Sequence, residues 1–190
     1  MKPLQAGGVG SGAIRVVPYD PAWPSNFLEI EAELTLRLGD LLRAVDHVGS
    51  TSVPGLAAKP KIDVDAVVLS ATHLGEAVTR MKALAEWAFH GEPYKDGMWT
   101  FTRGRGSWGA RLYLCAPDTA THVKRLLFRN WLRKHPEDAL AYEALKRRLA
   151  VDAAGDWNAY TGGKSGFVAA IVGLAEREND SVLIAAGQGI

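Results

Sequence analysis

Two aspartates, Asp63 and Asp65, are separated by one residue within an apolar run that predicts a β-strand. Side chains two positions apart on a strand point to the same face, so we expect the two carboxylates side by side. Two carboxylates on one edge repel each other unless a cation lies between them. A hard divalent ion bound by oxygen suits such a pair, Mg²⁺ first with Mn²⁺ as the alternative, and Mg²⁺ usually brings substrate phosphates with it.

The segment before this strand combines small residues with cations. The small residues are Gly49, Ser50, Thr51 and Ser52. They would let a phosphate approach backbone N–H groups, and the alternative is an ordinary tight turn. Lys59 and Lys61 flank the strand, where they would either neutralise phosphates or remain solvated surface charges. The segment therefore predicts a phosphate-binding loop, provided that the two aspartates form a ligand site.

The sequence around these residues resembles that of a known family. The stretch His47-Val-Gly-Ser-Thr-Ser-Val-Pro-Gly-Leu-Ala-Ala-Lys-Pro60, followed by Asp63-Val-Asp65, is similar to the GrpB family within the DNA polymerase beta-like nucleotidyltransferase superfamily. The same resemblance extends to Tyr19-Asp-Pro-Ala-Trp-Pro24 and to residues 127–136, 142–150 and 160–167. It therefore covers most of the chain, from residue 16 to residue 172.

The resemblance implies a Mg²⁺-dependent nucleotidyltransferase. Such an enzyme moves a nucleoside monophosphate from a nucleoside triphosphate to an acceptor hydroxyl or amine, here on an unknown small molecule or protein. Asp63 and Asp65 would be its catalytic metal ligands, and the segment 49–52 would hold the distal phosphates. Lys59, Arg111 or Lys164 would assist in binding the phosphates.

One later strand departs from the family pattern. GrpB-family sequences typically carry His-hydrophobe-His where this chain has Arg111-Leu112-Tyr113. Arg111 would bind an anion and Tyr113 would hydrogen-bond a ligand, but neither replaces a metal-ligating carboxylate or imidazole. This departure motivates a second hypothesis, in which the same fold binds a nucleotide or another phosphorylated ligand without turning it over.

Three further cations come from the C-terminal third. Arg125 and Arg129 belong to a basic helical surface, which would either face solvent or form an anion or nucleotide site. Lys164 stands at the start of the predicted last helix, where it would either reach a phosphate or remain on the surface. These residues complete the set of candidate phosphate ligands.

The composition limits the classes of function. Lys and Arg number 22 against 21 Asp and Glu in 190 residues, so no global field attracts nucleic acid, and a nucleic-acid partner is not expected. The longest apolar runs are too short to span a bilayer. A lone cysteine, Cys115, allows no intrachain disulfide, and together with the lack of a signal-like N-terminus it favours the cytoplasm.

Hydrophobic periodicity predicts an α/β (α+β) fold. The resemblance implies that its mixed β-sheet with flanking helices is nucleotidyltransferase-like. Periodicity further predicts a helical C-terminal part, with one apolar stripe through Val123, Leu126 and Leu127 and another through Leu140, Leu145 and Leu149. The predicted single domain covers residues 14–178. The Gly-rich segment 1–13 and the segment 179–190 are predicted to be flexible tails.

Overall fold

The structure, a computed structural model, describes residues 14–105 and 108–187. Its helices are α1 (Trp23–Leu38), α2 (Leu74–Lys82), α3 (Ala120–Lys134), α4 (Pro136–Asp152), α5 (Trp157–Gly162) and α6 (Ser165–Gly187). Its strands are β1 (Leu42–Val48), β2 (Lys61–Val68), β3 (Ala88–Phe89), β4 (Trp99–Arg105) and β5 (Trp108–Cys115). The expected mixed α/β fold is confirmed.

The strands in the described ranges form one five-stranded sheet in the order β1-β2-β5-β4-β3. Strands β2 and β5 are parallel, and the other neighbouring pairs are antiparallel. The parallel pair lies at the centre and requires a long connection, which α2 and the β3–β4 hairpin provide. The aspartate strand β2 is therefore flanked on both sides and held firmly in register.

The two faces of the sheet have different partners. Alternate residues of β2, namely Ile62, Val64, Ala66 and Val68, pack in the main hydrophobic core with apolar residues of α1 and α2. Because strand side chains alternate, Asp63 and Asp65 point to the opposite face. That opposite face is where the C-terminal helices pack. The period-two prediction that both aspartates share one face is thus consistent with the observed packing.

The C-terminal helices have a small core of their own. Phe128 and Leu132 of α3, Tyr142 of α4 and Ile171 of α6 pack against Val53, which lies in the loop between β1 and β2. These contacts attach the helical part to the loop that precedes the aspartate strand. The space between the helices and the sheet becomes the candidate site.

The predicted tails fall at the limits of the described chain. Residues 1–13 and 188–190 lie outside the described residues. Residues 179–187 belong to helix α6, which extends to Gly187; their predicted flexibility stays a prediction. Their sequence, with leucine and alanine and without proline, is compatible with helix.

Candidate functional site

Strands β2 and β5 place four polar side chains on the sheet face below the C-terminal helices. Asp63 is paired in register with Arg111, and Asp65 with Tyr113. Their neighbours in sequence, Ile62, Val64, Ala110, Leu112 and Leu114, are buried in the core on the other face. The alternation of apolar and polar residues in both strands thus directs this polar set towards the helices.

The loop between β1 and β2 approaches Asp63 closely at Gly49. Gly49 has φ 73° and ψ −173°, a conformation that is nearly restricted to glycine. A Cβ at this position would lie 2.8 Å from Oδ2 of Asp63. Glycine is therefore required here both by the backbone conformation and by the proximity of the carboxylate.

Hydrogen bonds within the loop fix its 3-10 turn over Ser50–Ser52. The Ser52 hydroxyl donates to the Gly49 carbonyl at 2.6 Å, and the Thr51 hydroxyl donates to the Lys61 carbonyl at 3.2 Å. Nε2 of His47 lies 3.0 Å from the Thr51 oxygen, and burial lowers the pKa of His47 to about 4. Because the Thr51 proton is directed to Lys61, the neutral His47 donates from Nε2.

A cavity of about 440 Å³ lies between this sheet face and helices α3 to α6. Cationic side chains dominate its lining. They are Lys59, Lys61, Arg111, Lys124, Arg125, Lys146 and Lys164. Within residues 14–105 and 108–187, a single carboxylate, that of Asp63, lines the same cavity. The cavity is therefore strongly electropositive.

Burial and mutual repulsion lower the pKa values of the cavity lysines. Burial, with a further contribution from Lys164, lowers the pKa of Lys59 to about 8. Burial also lowers the pKa of Lys146 to about 7, although Glu143 opposes the shift. The pKa values of Lys61 and Lys164 shift downwards for the same main reason, and Arg111 contributes to both. An anion in the cavity would reverse these shifts.

Aromatic rings partly offset the crowding of these cations. The Lys59 ammonium lies 4.4 Å from the Trp157 ring centroid and 4.8 Å from that of Tyr160, and the Lys164 ammonium lies 4.4 Å from Tyr160. On α4, Lys146 lies 4.8 Å from the ring of Tyr142. Cation–π contacts of this kind stabilise ammonium groups that have lost part of their hydration.

Helix α4 also holds the loop that leads to the aspartate strand. The Ala57 N–H donates to the Glu143 carboxylate at 3.0 Å, and the Lys146 ammonium donates to the Ala57 carbonyl oxygen. Both backbone polar groups of Ala57 are thus satisfied by one turn of α4. This pair of contacts fixes Lys146 beside the cavity, where it is only 2% exposed.

Asp65 has partners of its own on α3 and is fully buried. Its Oδ1 accepts a hydrogen bond from Nη1 of Arg125 at 2.7 Å, and its Oδ2 accepts one from Nδ1 of His122 at 3.0 Å. Asp46, which lies directly opposite Asp65 on β1, is paired with Arg129 at 3.3 Å. Helix α3 therefore supplies the charges that compensate both carboxylates, the buried one of Asp65 and the partly exposed one of Asp46.

The structure brings most of the predicted site residues to one cavity. Those that line it are Gly49, Ser50, Thr51, Lys59, Lys61, Asp63, Arg111, Arg125 and Lys164. Ser52, Asp65 and Arg129 do not line it. Ser52 caps the Gly49 carbonyl, Asp65 is paired with α3, and Arg129 bonds to the His47 carbonyl oxygen at 3.0 Å. The ligand roles of the lining residues stay predictions.

Sequence reasoning did not select several residues of the site. Lys146, Tyr142 and Tyr160 line the cavity, and His122 binds Asp65. A signal for Lys146 was present in the sequence, because it follows Tyr142 by four positions and hence lies on the same helix face. The apolar stripe predicted for α4 included Leu140, and this prediction was wrong, because Leu140 is 68% exposed. The buried residues of α4 are Tyr142 and Lys146.

The donor set does not fit the divalent cation that the sequence predicted. Both oxygens of Asp65 are engaged by Arg125 and His122, so Asp63 would remain as a lone carboxylate among cations. In the described part of the chain, the group of three potential ligands close enough for a shared ion is His135, Glu137 and Asp138, none of which lines the cavity. Mg²⁺ sites are built mainly from carboxylate and phosphate oxygens.

Among the described residues, none of the helices combines the length and the apolar character that crossing a bilayer requires.

Comparisons with known proteins agree with the sequence resemblance. A family model described as GrpB protein matches residues 13–173, and the chain belongs to this family. A UPF0157 protein from Pseudomonas aeruginosa is 39% identical over 166 residues, which are 85% of this chain and 67% of that protein. The crystal structure of conserved protein GrpB from Enterococcus faecalis has a TM-score of 0.77 and 29% sequence identity, and the match covers 87% of this chain and 99% of that chain.

A further relative has a name that states an activity. A protein named dephospho-CoA kinase from Mycolicibacterium paratuberculosis is 30% identical over 176 residues, which are 80% of this chain. The match covers 43% of that protein, so this chain spans less than half of its length.

Proposed function

We propose that this protein binds a phosphorylated, nucleotide-sized ligand in the cavity between β2, β5 and the C-terminal helices. The observation that supports the proposal is the charge of the lining, where seven cationic side chains accompany one carboxylate among the described residues. Burial lowers the pKa values of Lys59 and Lys146, and the neighbouring cation Lys164 lowers both further. A polyanion relieves that repulsion and replaces the lost hydration.

The size and the remaining lining suit a nucleotide. A cavity of about 440 Å³ lies within the range of small-molecule sites. Phe128, Tyr142 and Tyr160 add aromatic surface to the lining, on which a base or another planar group could pack. The small-residue loop at Gly49 and Ser50 leaves backbone within reach of a phosphate. These features favour a ligand with a charged end and an uncharged end.

Nucleotidyl transfer is a second candidate for the same cavity. It is favoured by Asp63, whose carboxylate lines the cavity beside the Gly49 loop. Transfer from a nucleoside triphosphate would release pyrophosphate, whereas simple binding would not. The kinase name of one relative adds dephospho-CoA to the ligands worth testing, because this compound combines a nucleotide with a long uncharged arm.

The proposal is tested by calorimetric titration of the purified chain with ATP, GTP, CTP, UTP, dephospho-CoA and inorganic triphosphate. Saturable binding that is weakened in Lys164→Gln, and unchanged in Lys134→Gln, is the expected result. Lys134 is a suitable control because its side chain is 63% exposed and does not line the cavity. Pyrophosphate release in the same mixtures would add transfer to binding. If none of these compounds binds, the proposed function is wrong.

A further inference from the structure

Asp65 occupies a position on β2 where the sequence predicts a metal ligand, yet its surroundings are those of an ion pair. The residue has no exposed surface, and its two oxygens accept hydrogen bonds from two different side chains of α3. A cation at Asp65 would have to displace Arg125 or His122. Removing one member of a buried, hydrogen-bonded charge pair leaves the other uncompensated and is strongly unfavourable.

Arg125 is oriented by two groups at once. Its Nη1 donates to Oδ1 of Asp65 at 2.7 Å, and its guanidinium carbon lies 3.7 Å from the ring centroid of Tyr113. Tyr113 is the register partner of Asp65 on β5, so both groups come from the rigid centre of the sheet. Arg125 itself lines the cavity. Asp65 and Tyr113 thus both contact an arginine that lines the cavity.

The neighbouring strand shows the same compensation. Asp46 and Asp65 face each other across β1 and β2, where two like charges destabilise a sheet. His122 lies between them, with Nδ1 3.0 Å from Asp65 and Nε2 3.7 Å from Asp46, and Arg129 contacts Asp46. The acidic charge beneath the cavity is thus balanced by protein groups. A divalent ion is not needed to neutralise it.

We propose that Asp65 is a positioning residue that holds Arg125 at the cavity, and that the cavity takes its phosphorylated ligand without a divalent cation. This inference rests on the proposed function, since it assumes a phosphorylated ligand. The cavity lysines and arginines replace the charge that Mg²⁺ would otherwise supply to the phosphates. Asp63 is then a lone carboxylate at the cavity wall, and no ion bridges it to Asp65.

The first test uses the metal alone, with the unmodified protein and with Glu137→Gln, which removes a ligand from the group of His135, Glu137 and Asp138 outside the cavity. Titration with Mn²⁺, followed by electron paramagnetic resonance, should show no saturable site in Glu137→Gln at millimolar concentrations. ATP and inorganic triphosphate should then bind in EDTA at least as tightly as in excess Mg²⁺. A tight Mn²⁺ site that persists in Glu137→Gln, or binding of both probes only when Mg²⁺ is present, would overturn the inference while leaving the proposed function intact. No binding in either buffer would remove both.

The second test asks whether Asp65 acts through Arg125. Asp65→Asn and Arg125→Ala should each weaken triphosphate binding about tenfold or more, with the same factor in EDTA and in Mg²⁺. The double variant should bind no more weakly than either single variant, because both changes remove one linkage. A purely structural residue would not produce this non-additivity. Effects that multiply, or an Asp65→Asn defect confined to Mg²⁺ buffers, would contradict the positioning role.

Two controls keep this test decisive. Asp40→Asn and Arg80→Ala break an exposed ion pair of matching chemistry outside the cavity, so binding should be unchanged in both. If Asp65→Asn does not fold, the comparison of Arg125→Lys with Arg125→Ala replaces it. Lysine keeps the charge but loses the planar fork, so it should restore little of the affinity if orientation matters. Full recovery by lysine would show that charge alone is required.

Discussion

A Cβ on residue 49 would lie 2.8 Å from Oδ2 of Asp63, so the loop and the aspartate strand meet at a glycine that has no room for a side chain. The small-residue loop thus approaches the carboxylate that lines the cavity at Gly49. It makes Gly49 the position at which loop geometry can be changed without altering a charge.

We expect Gly49→Ala to weaken binding of inorganic triphosphate, because the new methyl group must displace either the loop or the Asp63 side chain. The positive φ strains an alanine in the folded protein and should lower the free energy of unfolding by about 1–3 kcal/mol. Gly55→Ala is the matched control, since Gly55 has φ 79° but a Cβ added there would lie in open space. Calorimetry should show reduced affinity in the first variant alone. Equal affinity in both would mean that the loop is not part of the ligand site.

Ligand affinity should fall as the pH rises through the range from about 7 to about 8. The lowered pKa values of Lys146, about 7, and Lys59, about 8, mean that both ammonium groups lose their protons in this range. A phosphate raises those pKa values again, so protons are taken up on binding. Titrations in two buffers of different ionisation enthalpy measure this uptake. Proton release, or affinity that does not change with pH, would contradict the prediction.

Lys146 should also make the stability of the ligand-free protein depend on pH. Its pKa is about 7 in the folded protein and 10.5 in the reference state, so between these values the unfolded chain binds more protons. The free energy of unfolding contributed by this group therefore rises with pH from about 7 towards 10.5. Urea denaturation at several pH values should show the rise in the wild type.

The matched pair for this prediction is Lys146→Met and Lys82→Met. The first removes the buried ammonium and should reduce the rise, most clearly between about pH 7 and about pH 8, where the pKa of Lys146 lies below that of Lys59. The second removes an exposed lysine and should leave the slope unchanged. An identical pH dependence in Lys146→Met and the wild type would show that another group is responsible.

A prediction about the fold concerns the ion pair between Arg103 of β4 and Glu33 of α1. Their side chains are 4% and 19% exposed and lie 2.6 Å apart, and Trp87 also donates to Glu33. Arg103→Leu should lower the free energy of unfolding by about 1.5–3 kcal/mol, because it removes the hydrogen bonds that the Arg103 guanidinium donates to both oxygens of the Glu33 carboxylate. Denaturant unfolding measures the change.

The exposed pair of Arg80 and Asp40 provides the comparison, since surface ion pairs contribute little. Arg80→Leu should therefore shift the denaturation midpoint only slightly. Similar losses in Arg80→Leu and Arg103→Leu would show that burial of the Arg103 pair has no special importance.

The sequence by itself determined the sheet, its faces and the family. Alternation of apolar and polar residues in 61–68 predicted a strand with Asp63 and Asp65 on one face. The apolar residues that alternate with them, such as Ile62 and Val64, are indeed buried in the core. Such information is local, because a strand fixes the direction of each side chain from its neighbours. The sequence from His47 to Pro60 similarly indicated membership of the GrpB family, which the family match confirms.

Only the tertiary structure decided the partners of these side chains. Asp65 meets His122 and Arg125, which are 57 and 60 positions away, and Lys146 meets Ala57 across 89 positions. No local periodicity encodes such pairs, since they depend on how α3 and α4 dock on the sheet. The same docking buries Lys146 and surrounds Asp63 with cations. Two aspartates that look alike in the sequence thus acquire different environments, one at a cavity and the other in a buried ion pair.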